Sequence, residues 1–277
     1  MSGLRKRALS SVVMVAAAAV AFAAGYPLVC DLCIVMAGVM SFEYSRMFSP
    51  GKKISPRVVW DAVSVPAVLL LFGMRILTAG QSAAALFVLF GLSAALSVLF
   101  SREHPVLGSL APVYVGLGVL SMLHIYSAFG GHFLLYLLSI TVSADVGGFF
   151  VGSALGGPKL APSISPNKTV SGAFGGLVFA FTFGTWVMIF RLFRLSLDDS
   201  RSVCMWGLIS AFLGVVSILG DLFESRAKRV AGVKDASALI PGHGGFLDRF
   251  DSLLAVSAAF ALLSLGGGLS SIGLVHI

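Results

Sequence analysis

Charged residues are scarce in this sequence, at 11% of 277 residues. Soluble domains contain roughly 25% charged residues, and a mean hydropathy of +0.98 with 57% hydrophobic residues lies far from that class. Cysteine is also rare. Cys30 and Cys33 form a C-x-x-C inside an apolar run without the surroundings of a redox or zinc site, and Cys204 stands alone, so no disulfide framework is indicated. The composition predicts an integral membrane protein, and we expect no nucleic acid among its partners.

Apolar runs close to the ~20 residues that a helix needs to cross the hydrocarbon core recur along the whole chain. They lack the alternation of membrane barrel strands. The first run follows three basic residues and resembles a cleavable signal peptide, but further runs follow at once, so we expect a retained helix. We predict an all-α polytopic membrane protein with about nine transmembrane helices, at 8–26, 28–45, 58–77, 83–100, 107–127, 132–152, 172–190, 203–221 and 252–274.

The distribution of Lys and Arg predicts the orientation, because short loops rich in these residues stay cytoplasmic. With nine spans and an inside N-terminus, the N-terminal arm and residues 46–57, 101–106, 153–171 and 222–251 hold 15 of the 19 Lys and Arg residues. The segment 191–201 departs from the rule, since it places Arg191, Arg194 and Arg201 on the predicted outer side. We divide the chain into N-terminal transmembrane helices, 1–130, and a C-terminal catalytic region, 131–277, with cytoplasmic loops at 153–171 and 222–251.

The segment Ser225–Asp251, SRAKRVAGVKDASALIPGHGGFLDRFD, concentrates charge and glycine in a chain that otherwise avoids charge. Just before it, Asp221 and Glu224 are spaced three apart and project from one helix face. Asp248 and Asp251 repeat that spacing as the last span begins, and Asp145 lies near the end of an earlier span. These carboxylates could converge on Mg²⁺, which takes a few carboxylate oxygens together with phosphate and water. Equally, they could be interfacial carboxylates paired with neighbouring Lys and Arg residues.

Basic and glycine residues lie between the two carboxylate pairs. Lys228, Arg229 and Lys234 suit an anionic substrate, since Arg offers a planar fork and Lys a mobile point charge. A positive patch that attracts anionic lipid headgroups is the alternative. The glycines around His243 would let backbone approach a ligand, although a lone His is more often structural.

An upstream segment, Asp145–Gly176, is dense in Gly, Pro and Ser, and we expect it to leave the helix near Gly156. With its exposed backbone N–H groups and Ser165, Lys168 and Thr169, it could hold phosphate oxygens. A flexible linker is the alternative, and no P-loop is present because the GK[ST] sequence is absent.

The order S-R-A-K-R-x4-K-D-x-S-x2-I-P-G-H-G-G-F-x-D-R-F-D, Ser225 to Asp251, resembles the signature of the phosphatidate cytidylyltransferase (CDP-diacylglycerol synthase) family. The preceding Gly220-Asp221-Leu222-x-Glu224 and the upstream KLAPSISPNKTVSG, residues 159–172, are also similar to the family. The chain departs from the family pattern upstream. Ser153 follows Phe150-Val151-Gly152 where an aromatic-glycine-arginine sequence is common, Gly157 replaces a lysine, and Val170-Ser171 replaces tryptophan-glutamate.

The resemblance implies transfer of the cytidylyl group of CTP to phosphatidic acid, giving CDP-diacylglycerol and pyrophosphate for phospholipid synthesis. It implies Mg²⁺ as cofactor, with a second, monovalent cation and a homodimer as further expectations. The expected place is a bacterial inner membrane among its lipids, with the active site facing the cytoplasm. The expected metal ligands are Asp221 and Asp248, assisted by Asp251, Asp145 and Glu224. The expected catalytic residues are Asp221, Lys228, Arg229, Lys234, Asp248 and Asp251, and the expected substrate-binding residues are Ser165, Lys168, Thr169, Ser225, His243, Gly244, Gly245 and Arg249.

Three other functions remain open on sequence grounds. A transporter would place ionisable residues deep inside several spans, whereas here the charges cluster at span ends. A catalytically silent lipid-binding scaffold would fit the altered upstream loop. A CTP-dependent enzyme could also act on another lipid phosphate, such as a polyprenyl phosphate.

Overall fold

The computed structural model describes residues 3–49, 54–73, 82–100, 104–189 and 200–265. In these ranges the secondary structure is helical apart from one short hairpin. The elements are α1 (Gly3–Ala24), α2 (Tyr26–Met47), α3 (Pro56–Gly73), α4 (Ser82–Leu99), α5 (Pro105–Gly108), α6 (Ala111–Phe129), α7 (Gly131–Leu155), β1 (Lys159–Ala161), β2 (Ser165–Thr169), α8 (Val170–Val187), α9 (Ser200–Val230) and α10 (Leu247–Leu265).

The helices confirm an all-α membrane protein. Each of the nine predicted spans falls largely on these helices. Among the residues that the structure describes, 5 segments are long and apolar enough to cross a membrane: Tyr26–Met47, Pro105–Phe129, Gly131–Leu155, Val170–Val187 and Arg201–Val230. Nine crossings therefore stay a prediction. Proline opens several helices, including α3 at Pro56 and α5 at Pro105, where its missing N–H costs nothing.

The chain forms two compact units, and the first consists of residues up to Leu123 together with Ala227–Phe250. Its core includes the fully buried Tyr44 on α2, whose hydroxyl donates to the carbonyl of Leu107 at 2.9 Å. Asp61 on α3 is also fully buried and accepts hydrogen bonds from Ser45 and Ser97, the latter at 3.1 Å. Polar side chains thus join α2, α3 and α4 within this unit.

The second unit consists of His124–Arg226 and the chain from Asp251 onward. Here α7 and α8 pack backbone to backbone through glycine. A Cβ added at Gly176 would lie 2.7 Å from the carbonyl oxygen of Ala144, and one at Gly172 would lie 2.7 Å from that of Gly148. The two helices approach this closely because α8 carries no side chain at Gly172 or Gly176.

The ends of two helices and the structure of one loop differ from the sequence prediction. Helix α9 continues nine residues past the predicted span end at 221, and α10 begins at Leu247, so the connecting segment is only 231–246. Charged residues mark the end of an apolar span but do not stop a helix. The upstream loop leaves α7 at Gly156 as predicted, with φ of 62°, and then forms the β1–β2 hairpin, which the sequence did not indicate. The exceptional residues Arg191 and Arg194 lie outside the described ranges.

Candidate active site

Three carboxylates converge in the second unit. Asp221 and Glu224 come from α9 and Asp251 from α10, and one oxygen of each lies within 4.8 Å of the others. Glu224 is fully buried and Asp251 is 8% exposed. We call these three residues the carboxylate cluster. Because like charges so close together and so poorly hydrated repel one another, a cation is the natural complement of this arrangement.

Small residues allow the two helices to approach. A Cβ on Gly220 would lie 2.7 Å from the Cβ of Ala255, so the position beside Asp221 cannot carry a side chain without displacing α10. One turn earlier on α9, the carbonyl of Ser217 accepts a hydrogen bond from the Ser252 hydroxyl at 3.1 Å. This close crossing brings Asp221 and Glu224 to Asp251.

Two predicted substrate-binding residues hold Asp221. Its Oδ2 forms an ion pair with the Lys168 ammonium, and its Oδ1 accepts a hydrogen bond from Ser225 at 3.1 Å. Asp251 is fixed by its own helix, since its Oδ1 accepts from the Ser252 N–H at 2.7 Å. The cluster is therefore oriented by neighbours, and Lys168 supplies positive charge at its edge.

A cavity of about 640 Å³ lies in the same unit, between α7, the hairpin and the start of α8. Lys168 lines this cavity and also pairs with Asp221, so the cavity wall and the carboxylate cluster share a side chain. The other polar lining residues include Asp145, Lys159, Asn167 and Thr169. The structure thus places Asp145 in the cavity wall, while Asp221, Glu224 and Asp251 form the cluster.

The hairpin is closed by hydrogen bonds at its base. Lys159 pairs with Thr169, and the Thr169 side chain caps α8 by accepting from the Gly172 N–H at 3.1 Å. Ser171, one of the departures from the family pattern, donates to the carbonyl of Gly156. The other two departures, Ser153 and Gly157, line the cavity. Thr169 therefore has a clear structural role, whereas Ser165 only faces Ala161 across the hairpin.

The remaining signature residues lie in the first unit, around Asp248. The Asp248 carboxylate accepts from the Lys228 ammonium at 2.9 Å, from the Ala236 N–H at 3.1 Å and from the Gly245 N–H at 2.8 Å. Its side chain is 5% exposed. Asp248 was predicted as a metal ligand; in the structure its carboxylate contacts an ammonium and two backbone amides, and its role as a metal ligand stays a prediction.

Gly244 and Gly245 of the signature each lie directly against a carboxylate of the protein. The segment Ile240–Gly244 is a tight turn in which Ile240 donates to Gly244 at 2.8 Å and His243 donates to Ile240 at 2.9 Å. Gly244 has φ of 87°, and a Cβ there would lie 2.7 Å from Oδ2 of Asp248. At Gly245 a Cβ would lie 2.8 Å from Oε1 of Glu43. Both glycines were predicted to approach substrate, and both approach the protein's own carboxylates.

Among the other predicted binding residues, His243 and Arg249 form hydrogen bonds within the protein, whereas two basic side chains are exposed. The His243 ring nitrogens face the hydroxyls of Ser10 at 2.8 Å and Ser11 at 3.3 Å on α1, and the His243 carbonyl accepts from Arg249 at 2.8 Å. Arg229 and Lys234 are exposed.

Glu43 is the residue that sequence reasoning missed. It is fully buried on α2, and its carboxylate accepts hydrogen bonds from the Ser237 hydroxyl and the N–H groups of Phe246 and Leu247. The available signal was an ionisable residue inside the predicted span 28–45, which is uncommon without a purpose.

Comparison with known proteins places this arrangement in a family. A phosphatidate cytidylyltransferase of Helicobacter pylori is 37% identical over 157 residues, which are 57% of this chain and 56% of that protein. One of Brucella melitensis is 44% identical over 145 residues, 52% of this chain and 50% of its own length. One of Staphylococcus saprophyticus is 32% identical over 233 residues, 79% of this chain and 86% of its own length.

The first two matches span about half the length of those relatives. The family model described as "Cytidylyltransferase family" matches far more of the chain, residues 5–265. That range contains the carboxylate cluster, the cavity and the whole signature, and the chain therefore belongs to the cytidylyltransferase family.

Proposed function

We propose that this protein transfers the cytidylyl group of CTP to phosphatidic acid, forming CDP-diacylglycerol and pyrophosphate. The observation that carries the proposal is the carboxylate cluster, joined through Lys168 to a cavity whose wall contains the upstream motif. The names of the relatives support the same reaction, since all three are phosphatidate cytidylyltransferases.

The reaction joins two anions. A phosphate oxygen of phosphatidic acid attacks the α-phosphorus of CTP, a new P–O bond forms, and the bond to the β-phosphate oxygen breaks to release pyrophosphate. No covalent enzyme intermediate is needed, because the lipid phosphate is itself the nucleophile. The chain's task is to neutralise charge and to align the reacting atoms.

The carboxylate cluster fits the implied Mg²⁺. Three carboxylates supply hard oxygen ligands and leave room for phosphate and water oxygens, which is the set that this ion prefers. When bound, Mg²⁺ withdraws charge from phosphate oxygens and so favours attack at phosphorus. Asp221, Glu224 and Asp251 would hold the ion, and Ser225 orients Asp221 for that role.

The basic residues have separate roles in this proposal. Lys168 pairs with Asp221 and would turn to a substrate phosphate when an ion takes over the carboxylate. Lys228 is fixed by Asp248, so its ammonium presents a positioned positive charge. Arg229, Lys234 and Arg249 are exposed and would attract the triphosphate or the lipid headgroup.

The two substrates determine where such an enzyme works. Phosphatidic acid stays in its leaflet and CTP stays in water, so the phosphates meet at the level of the headgroups. We therefore propose a bacterial inner membrane with the reacting groups on the cytoplasmic side, where the Lys- and Arg-rich segments are expected. Homodimerisation stays a prediction of the family resemblance.

The test is incorporation of labelled CTP into lipid by the purified protein in detergent micelles with phosphatidic acid and Mg²⁺. We expect Mg²⁺-dependent product, and a loss of about 100-fold or more in Asp251→Asn, because a ligand carboxylate contributes more than the 10–100-fold of an outer-shell residue. Asp31→Asn is the control, since it removes an exposed carboxylate from α2.

Three outcomes separate the alternatives. Product only with a polyprenyl phosphate would assign a different lipid acceptor. Binding of phosphatidic acid without product, by wild type of normal melting temperature, would indicate a lipid-binding scaffold. Equal activity in Asp251→Asn and Asp31→Asn would refute the carboxylate cluster as the metal site.

A further inference from the structure

We propose that Glu43 on α2 is a positioning residue for the reaction, which fixes the backbone on which Asp248 and the glycine turn depend. This inference rests on the proposed function. Glu43 precedes the signature by more than 180 residues in the sequence and belongs to no motif that the sequence analysis identified.

The first argument is the completeness of its hydrogen bonding. Glu43 is 0% exposed, and burying a carboxylate is costly unless donors surround it. Its Oε1 accepts from the Ser237 hydroxyl at 2.5 Å and from the Phe246 N–H at 3.1 Å, and its Oε2 accepts from the Leu247 N–H at 2.8 Å. All three donors belong to the signature or to the first residue of α10.

The second argument is the place where the carboxylate sits. Phe246 and Leu247 provide N–H groups at the start of α10, which have no partner within the helix. A negative charge at the N-terminus of a helix also interacts favourably with the helix dipole. Glu43 therefore caps α10 from another helix, a task that a local Ser, Thr or Asp usually performs.

The third argument is what the cap controls. Asp248 follows directly after Leu247, and its carboxylate holds the Lys228 ammonium and the N–H groups of Ala236 and Gly245. The connecting segment 231–246 is thus held at two points, by Glu43 and by Asp248. Loss of the first would free Ser237 and the backbone at Phe246 and would let Asp248 shift with respect to Lys228.

Gly245 provides independent support, because it lies directly against this carboxylate. A Cβ there would lie 2.8 Å from Oε1 and 2.9 Å from Oε2 of Glu43. The contact with Glu43 is thus sufficient to explain why residue 245 is a glycine. The pair predicts a specific coupling: Gly245→Ala is harmful when Glu43 is present and adds little in a Glu43→Ala background.

The test compares Glu43→Gln with Asp31→Asn, a charge-removing control at an exposed position of the same helix. The Gln side chain has nearly the size of the Glu side chain, but its NH₂ group would face one of the three groups that donate hydrogen bonds to Glu43. We expect amide exchange of the peptide 237–247 to accelerate about tenfold or more, because a hydrogen bond to a charged group is lost. In the same variant the KM for CTP or for phosphatidic acid rises about tenfold, and the control changes neither.

These readouts distinguish positioning from general stabilisation. Loss of folded protein would lower Vmax and the melting temperature and leave both KM values unchanged, and that result would overturn the proposal. Unchanged exchange together with unchanged KM values would overturn it as well. If Glu43→Gln does not fold, Ser237→Ala removes one donor from a half-exposed site and is judged by the same criteria, with an effect of a few-fold.

The exchange measurement needs no substrate, so it separates the two proposals. A wild type without cytidylyltransferase activity refutes the proposed function, while the exchange of 237–247 still decides whether Glu43 anchors the segment. An active wild type with an unaffected Glu43→Gln refutes the Glu43 inference alone.

Discussion

The glycine turn offers a matched pair of substitutions, Gly244→Ala and Gly232→Ala. Both glycines belong to the connecting segment and both have positive φ, 87° and 71°, which an alanine adopts only with strain. Their surroundings differ. A Cβ at Gly232 meets nothing within 4 Å, whereas a Cβ at Gly244 lies 2.7 Å from Oδ2 of Asp248.

The difference between the two variants isolates the contact with Asp248. Backbone strain costs each variant about 1–2 kcal/mol, so it cancels in the comparison. In Gly244→Ala the Asp248 carboxylate must also move, and its Oδ2 accepts from Gly245 at 2.8 Å and from Ala236 at 3.1 Å. A hydrogen bond to a charged group contributes about 1.5–3 kcal/mol, so Gly244→Ala should be the less stable by about that amount.

The assay is thermal unfolding in detergent together with kcat/KM for CTP. If the displaced Asp248 no longer fixes Lys228, transition-state stabilisation falls by a similar free energy. The kcat/KM of Gly244→Ala should then fall about tenfold or more, since 1.36 kcal/mol is a factor of ten. Gly232→Ala should keep kcat/KM close to that of the wild type. Equal melting temperatures and equal kcat/KM in the two variants would refute the argument that Gly244 is required by Asp248.

Three further predictions concern the second unit. Lys168→Ala removes the cation paired with Asp221, and we expect kcat/KM to fall about tenfold or more while Lys168→Arg keeps part of it; equal rates in both variants would contradict a role for this charge. Mg²⁺ at 100 times its Kd should stabilise the folded wild type by about 2.7 kcal/mol, which is measured as a higher melting temperature, and chelation should reverse this. Asp251→Asn should abolish most of that shift, and an undiminished shift would place the ion elsewhere. Thr169→Ala should destabilise α8 by about 1 kcal/mol through loss of the cap on Gly172, whereas Thr169→Ser should be nearly neutral in thermal unfolding.

The positions of the helices were largely predictable from sequence, because apolar runs of membrane length have few alternatives. The end of α9 was not. Its last turns, up to Val230, carry the charges that ended the predicted span, and a helix continues past the hydrocarbon region at no cost. The β1–β2 hairpin was also missed, since its strands have only 3 and 5 residues and show no alternating apolar pattern.

All three residues of the carboxylate cluster were among the expected metal ligands, but their selection from the larger predicted set was not predicted. The spacing of Asp221 and Glu224 predicts one helix face, and the close approach at Gly220 explains how α10 brings Asp251 to them. Asp248 has the same residue type and lies in the same signature, so sequence alone gave no reason to separate it from Asp251. What distinguishes it is its environment of Lys228 and backbone N–H groups, which depends on the fold of the segment 231–246.

The cap that Glu43 places on α10 limits how this protein can be shortened. A fragment that begins after α2 would keep every residue of the signature, yet Ser237, Phe246 and Leu247 would each lose the acceptor they have in the full chain. Supplying residues 1–49 as a separate polypeptide would then be the natural rescue, and recovery would depend on the presence of Glu43 in that piece. We therefore expect the sequence segment that identifies the family to need α2 in order to adopt this conformation.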